Sequence, residues 1–574
     1  MMAPLRPRIV RALPWTAATG LYTALTLLYL RPIWRFWGDR IAPSLADPLL
    51  VLYMLKWSAH QIRLGLPDLW NANLFYPTHG SFALSDHLLG PAALSALFPN
   101  AIAGYNFLFL TSFVASALAV CWVMRRAGLS WPAALLAGWM YTFSSFRIAQ
   151  MSHLQLLLTQ WIPPTLWFWD RLLAERTSKN AGLFLLFYLL HVTGGCYLAY
   201  MIHFPLLVLL ANRMAIQGRE VLSLRSLRLL VPVGLIAGAA LLAIFLPYAR
   251  VSKALGLART DAEVQRYGAA PASYFTPARD NLYFGPEAKG LLRAKLGIRS
   301  KVLMRPESSL FAGFLPTALF FLGAIVQWRR RRDGPPNPWE RGLALSGLLC
   351  FALTFPIVYT PLMRVIPGMS GMRVPARFYA FVSLALVHFA GRGVDFLRER
   401  MPGPRARLAL AVALGVVLAA ELMPRPLKWM ALPREEEFPP VYRWIAREPA
   451  VKSLIELPIH KDPRECMYLY YSTLHWKPIA NGFSGYLPES HERLTQRIRF
   501  LPDQAGLDLI REYWISHLVV HARSSVRQEA LRQWEQRFAR GEDRQVELVH
   551  RSGTSYVYRV LDSPSSRTPK RAGL

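Results

Sequence analysis

A chain of 574 residues with 53% apolar residues, a positive mean hydropathy and a net charge of +31 fits neither an ordinary soluble enzyme nor a nucleic-acid binder once the distribution is considered. From Arg425 onward 24 Lys and Arg face 18 Asp and Glu, so almost all of the excess charge lies before that point. There it falls in short clusters between apolar blocks: Arg6, Arg8 and Arg11; Arg125 and Arg126; Arg213, Arg219, Arg225 and Arg228; Arg329 to Arg332; and Arg392 to Arg407. That is the positive-inside signature of a polytopic membrane protein.

The first apolar block follows three arginines, lacks a small-x-small cleavage site and ends at Leu30-Arg31-Pro32, which reads as a retained signal anchor. Low-charge windows such as Leu183 to Leu210, Leu229 to Leu246 and Leu408 to Glu421 bracket the roughly 20 residues that cross a bilayer. Keeping the basic clusters inside gives about eleven spans, near 14–34, 105–124, 131–146, 156–169, 181–194, 197–211, 230–248, 312–326, 343–359, 378–390 and 408–422, with a re-entrant break at Gly194-Gly195. The N-terminus then faces the cytoplasm, and the C-terminal region and two long loops, 36–104 and 250–311, face outward.

In the first loop, Asp47-Pro48 followed by Leu49, Leu50, Leu52, Tyr53, Leu55 and Trp57 predicts an amphipathic helix at the interface, with Asp47 as its N-cap. Asp39, Asp47, Asp68 and Asp86 are carboxylates in a protein whose membrane part holds few, and Asp47 stands nearest the first span. Asp47 is either that cap or a general base at the membrane surface. Arg373 and Arg377 sit at the outer end of a span, against the positive-inside trend. Their planar forks suit phosphate oxygens; the alternatives are headgroup contact or pairing with Glu307. His87 and His153 are isolated, either packed or orienting a substrate, and no HExxH occurs. His517 and His521 fall on a predicted strand, where residues four apart are too distant for one metal ion.

After Pro424 the pattern turns α/β. Strands are expected at 453–457, 517–521, 546–550 and 555–560 and helices at 441–447, 489–500 and 526–540, followed by a disordered tail, 563–574. Cys466 is the one cysteine there, so this region forms no internal disulfide.

Asp47-Pro48, Phe75-Tyr76-Pro77, Ser85-Asp86-His87, Tyr105-Asn106, Phe143-Ser144-Ser145-Phe146-Arg147 with His153, and Arg373-Val374-Pro375-Ala376-Arg377-Phe378 together resemble the GT-C superfamily of membrane glycosyltransferases, in a bacterial branch near the YfhO-like and RgtA/B/C/D-like proteins. The likeness covers most of the first 425 residues. It implies a GT-C-like α-helical transmembrane domain, 1–424, and an extracytoplasmic α/β domain, 425–562. It also implies a sugar donor on a polyprenyl phosphate, a glycan, lipid or protein acceptor, membrane lipids as further partners, no nucleic acid, and a place in the bacterial cytoplasmic (inner) membrane. Asp47, with Asp39, is then catalytic in an inverting transfer, and Asp86, His87, Arg147, His153, Glu307, Arg373 and Arg377 bind substrate. No structural metal or other cofactor is expected, a divalent ion at the catalytic site being left open. The acidic pair usual in the superfamily's first loop is here spread over eight residues, from Asp39 to Asp47. A lipid-linked glycan carrier and a non-catalytic envelope assembly factor are the competing readings.

Overall fold

The computed structural model describes residues 6–285, 305–330, 334, 337–460, 462–498, 504–522, 532, 536 and 545–561. The chain divides into two compact units: Met1–Phe36, Asn106–Phe245 and Ala258–Leu427 form the first, and Trp37–Tyr105, Leu246–Leu257 and Lys428–Leu574 the second.

A helix overlaps each of the eleven expected spans, and their lengths divide them into two groups. Among the described residues, four helices are long and apolar enough to cross a membrane: Ala101–Arg126, Cys196–Leu222, Leu224–Ala254 and Pro375–Glu399. A fifth arises if Pro338–Leu353 and Pro356–Met363, bent by 86°, make one span. Trp131–Thr142, Ile162–Glu175 and Ser178–Val192 have 12, 14 and 15 residues. At 1.5 Å per residue they fall short of a hydrocarbon core about 30 Å thick. Apolar composition marked them as membrane segments, but it does not fix helix length.

Within the first unit the helix Phe314–Arg330 crosses Tyr379–Glu399 at bare backbone. A Cβ on Gly323 would lie 1.8 Å from the Phe389 carbonyl, and one on Gly393 would lie 2.3 Å from that of Leu319. Small residues at a crossing let the backbones approach closely, a common source of helix association in lipid. Two buried carboxylates here are paired with arginines. Asp170, fully buried, accepts two hydrogen bonds from Arg213 at 2.7 and 2.6 Å, and Glu340 accepts from Arg392 at 2.7 Å. Such pairing lowers the cost of charge inside a helical bundle.

In the second unit, strands β1 (Arg40–Ile41) and β2 (Met430–Ala431) pair antiparallel. β3 (Leu454–Leu457), β4 (His517–His521), β5 (Val546–Ser552) and β6 (Ser555–Val560) follow the expected strand segments closely. Their order is β3-β4-β6-β5, with β3 and β4 parallel and the others antiparallel. Ile455, Leu518, Val520, Tyr558, Leu494, Leu507 and Ile510 form the core on this sheet. Helices Pro440–Arg447 and Glu489–Arg497 match two predicted ones, while the helix expected at 526–540 and the tail at 563–574 lie outside the described residues, apart from 532 and 536.

The first long loop supplies much of this unit. Its helix Asp47–Leu64 is not laid at an interface: 12 of its residues are buried, and it packs on helices Leu89–Ser95 and Glu465–Ser472. Ala46 occupies the N-cap and Asp47 the first turn, so the cap falls one residue earlier than expected. The Phe75-Tyr76 motif is structural. The Phe75 and Tyr76 amides donate to the carbonyls of Asn481 and Ile479, both at 3.0 Å, and a Cβ on Gly482 would lie 2.3 Å from the Phe75 ring.

Glu465 is fully buried beneath this motif, accepting from the His460 amide at 2.5 Å and the Asn481 side chain at 2.9 Å. Burial above all, helped by the Glu456 charge and opposed by these hydrogen bonds, pushes its carboxyl from 4.5 up to about 8. The folded state therefore holds a proton that the unfolded chain releases first, so this contribution to stability is present below about 4.5 and is lost as the pH rises through about 8. Thermal unfolding in detergent will show the second unit melting higher at pH 5 than at pH 8, and Glu465→Gln will flatten that slope. An identical slope in the variant would assign it to other groups.

Candidate functional site

The first unit concentrates arginine around two tyrosines. The segment leading to helix Tyr379–Glu399 is a 3-10 turn, Pro375–Phe378, because Pro375 denies it a regular helix. Arg373 and Arg377 therefore do not stack on one helix face but reach different rings. The Arg377 guanidinium lies 4.2 Å from the centre of Tyr197, while that of Arg373 lies 5.1 Å from Tyr267. The Arg373 amide also donates to the Tyr197 hydroxyl at 3.2 Å.

Tyr267 ends the helix Asp261–Tyr267, which Thr260 and Glu263 start with a reciprocal capping box. This helix packs on the Pro375–Phe378 turn. Arg305 and Arg266 place their guanidiniums 4.9 and 5.9 Å from the same Tyr267 ring, and Arg305 donates to the Arg266 carbonyl at 2.7 Å. Glu263 is the carboxylate shared among these cations, 3.0 Å from Arg259 and 3.8 Å from Arg373. Burial raises its pKa, but the Thr260 hydrogen bond and the charges of Arg259 and Arg373 outweigh it and hold Glu263 below the ordinary glutamate value.

Arg377 is 7% exposed, and among the described residues its Nε has no hydrogen-bond partner. A buried guanidinium with an unspent donor is costly unless something anionic completes it. Among the described residues Glu307 makes no ion pair with Arg377 or Arg373, and the carboxylate paired with Arg373 is Glu263. Glu307 is nonetheless near: its turn, Pro306–Ser308, packs on both Pro375–Phe378 and the helix Ser145–Ala149. His153 is within electrostatic reach of both arginines. Burial first, then the charges of Arg377 and Arg373, push its imidazole down to about 3, so it is neutral at physiological pH.

Arg147 comes from the same neighbourhood but is spent on the fold. It donates to the carbonyls of Thr142 (3.0 Å), Leu157 (2.9 Å) and Ser112 (3.2 Å) and to the Thr159 hydroxyl. Arg147→Gln strands several buried acceptors, each costing about 1–3 kcal/mol. The variant will therefore show a lower detergent melting temperature. An unchanged melting temperature with lost phosphate binding would return Arg147 to the substrate site.

The remaining predicted residues belong to the second unit. Asp39 accepts from the Leu432 amide through its carbonyl at 2.9 Å, beside the β1–β2 pairing. Asp47 opens the Asp47–Leu64 helix, and its charge, after burial, is the next largest influence raising the Cys466 thiol. Asp86 is 9% exposed and His87 fully buried. The His87 carbonyl accepts from Ser58 at 2.6 Å, and Tyr248 donates to the Ser85 carbonyl at 2.7 Å and lies 3.5 Å from the His87 ring nitrogen. Leu88 comes next with φ of 48°, a left-handed conformation costly for leucine and common where a site constrains the chain.

The sequence pattern thus pointed to Arg373, Arg377, His153 and Glu307 but missed Arg259, Glu263, Arg266, Tyr267, Arg305 and Tyr197. A legible signal was present: Thr260-Asp261-Ala262-Glu263 has the spacing of a capping box inside the long loop 250–311.

No family model matches the chain, and no curated protein matches it. Among solved structures it is similar to an oligosaccharyltransferase of Archaeoglobus fulgidus in the apo form, at 11% identity and a TM-score of 0.46 over 88% of this chain and 69% of that one. It is also similar to ArnT from Cupriavidus metallidurans bound to undecaprenyl phosphate, at 12% identity and a TM-score of 0.42 over 96% and 98%. Both likenesses are too distant to assign a donor, an acceptor or a catalytic residue to this chain.

Proposed function

We propose that the chain is a membrane glycosyltransferase of the GT-C kind that moves a sugar from a polyprenyl-phosphate donor to an envelope acceptor, with inversion, at the outer face of the bacterial cytoplasmic membrane. The N-terminus lies in the cytoplasm and the C-terminal α/β region outside. The observation that carries this reading is the buried, incompletely bonded guanidinium of Arg377 in a cluster of arginines that includes Arg373 and holds few carboxylates. Arginine binds phosphate through charge-assisted, often bidentate hydrogen bonds roughly twice as strong as neutral ones.

In the proposed reaction an acceptor hydroxyl attacks the anomeric carbon while the bond from that carbon to the phosphate oxygen breaks. The electron pair leaves with the lipid phosphate, whose charge Arg373 and Arg377 stabilise. Asp47 accepts the hydroxyl proton. His153, neutral, and Glu307 are assigned to sugar hydroxyls, and Asp39, Asp86 and His87 shape the first loop. Among the described residues no group of three or more His, Cys, Asp or Glu side chains is disposed to hold a metal ion.

The test is transfer of labelled sugar from a polyprenyl-phosphate donor to envelope material in membranes that overproduce the chain. Transfer above that of empty membranes is expected. Movement of the lipid-linked sugar across proteoliposomes with no transfer would establish the carrier reading instead.

A further inference from the structure

The arginine cluster has two centres. Arg377 serves Tyr197, whereas Arg373, Arg305 and Arg266 converge on Tyr267. The centres are separated by the reach of one arginine side chain, because the Arg373 amide bonds the Tyr197 hydroxyl while its guanidinium lies over Tyr267. A single phosphodiester carries one negative charge, which Arg377 with one neighbour would satisfy. Glu263 already engages Arg259 and Arg373, yet Arg305 and Arg266 still add two cations to the second centre. The charge-based topology puts both in an outer loop, where the positive-inside rule gives no reason for them.

Resting on the phosphate-binding reading of this same site, we infer that the cluster is built for two linked phosphates, so that the preferred lipid carries a diphosphate, with Arg377 on one phosphate and Arg305 and Arg266 on the other. Each charge-assisted hydrogen bond contributes about 1.5–3 kcal/mol, so the second phosphate is worth roughly tenfold or more in affinity.

The experiment measures binding of polyprenyl monophosphate and polyprenyl diphosphate to the full chain in detergent, with Arg305→Gln, Arg266→Gln and the charge-keeping Arg305→Lys alongside. Wild type should bind the diphosphate about tenfold tighter. Both Gln variants should lose that preference, and Arg305→Lys should keep part of it. Equal wild-type affinities, or a preference untouched by both Gln variants, would overturn the inference and leave the phosphate site standing. Binding of neither lipid would remove the phosphate site itself. Excess phosphatidylglycerol should leave the preference in place; if it erases it, these arginines serve bilayer headgroups and the inference fails.

Discussion

Arg377→Gln is expected to lower the proposed sugar transfer about 100- to 1,000-fold, the usual consequence of deleting one preorganised donor to a charge that grows in the transition state. Glutamine keeps a hydrogen-bonding amide but removes the cation and the planar fork. The native guanidinium is buried, lies over Tyr197 and leaves Nε without a partner among the described residues. No described residue accepts a hydrogen bond from that nitrogen, so the fold should not depend on it. Indeed, relieving a buried charge of its desolvation cost favours an unchanged or higher melting temperature. Arg377→Lys, which keeps the charge as a point rather than a fork, should recover part of the rate. Initial rates and detergent melting curves on the same preparations decide the matter. A rate within about threefold of wild type would make Arg377 a structural or headgroup-contacting residue.

Asp47→Asn is the second large effect, with a rate loss of about 100- to 10,000-fold, the range general-base catalysis contributes. The rival account is that Asp47 is only an acidic residue in the first turn of the Asp47–Leu64 helix. That role is worth about 0.3–1 kcal/mol through the helix dipole. The two accounts differ in what changes. Loss of the base lowers turnover and removes the acidic limb of the pH–rate profile, whereas loss of a dipole contact slightly lowers the melting temperature and leaves turnover alone. The second pattern would withdraw Asp47 from catalysis.

How much of this was legible in the sequence varied with the range of the interaction. β3 to β6 could be read because short runs rich in β-branched and aromatic residues, such as Leu518-Val519-Val520 or Tyr556-Val557-Tyr558, are a local signal. The helix at Asp47 was legible for the same reason, but not its burial, which depends on the Glu465–Ser472 helix some four hundred residues later. Apolar blocks showed where membrane helices lie but not their length, since Trp131–Thr142 and Ser178–Val192 are as apolar as longer spans and stop early. Arg373 and Arg377 were visible because two arginines at the expected outer end of a span run against the charge rule. Their partners Glu263, Tyr267 and Arg305 were not, because nothing local links the Asp261–Tyr267 helix to the Pro375–Phe378 turn that it packs against. Arg147 shows the converse: a charged residue in a suggestive motif whose hydrogen bonds all go to the fold.

The central claim is that the arginine cluster holds a lipid-linked phosphate, and equilibrium binding of polyprenyl phosphate to the purified full chain tests it most directly, with the Arg373→Gln/Arg377→Gln double variant as the comparison. Saturable binding that weakens with added salt and falls at least about tenfold in a normally folded double variant is the predicted result. Equal binding by wild type and double variant would contradict it.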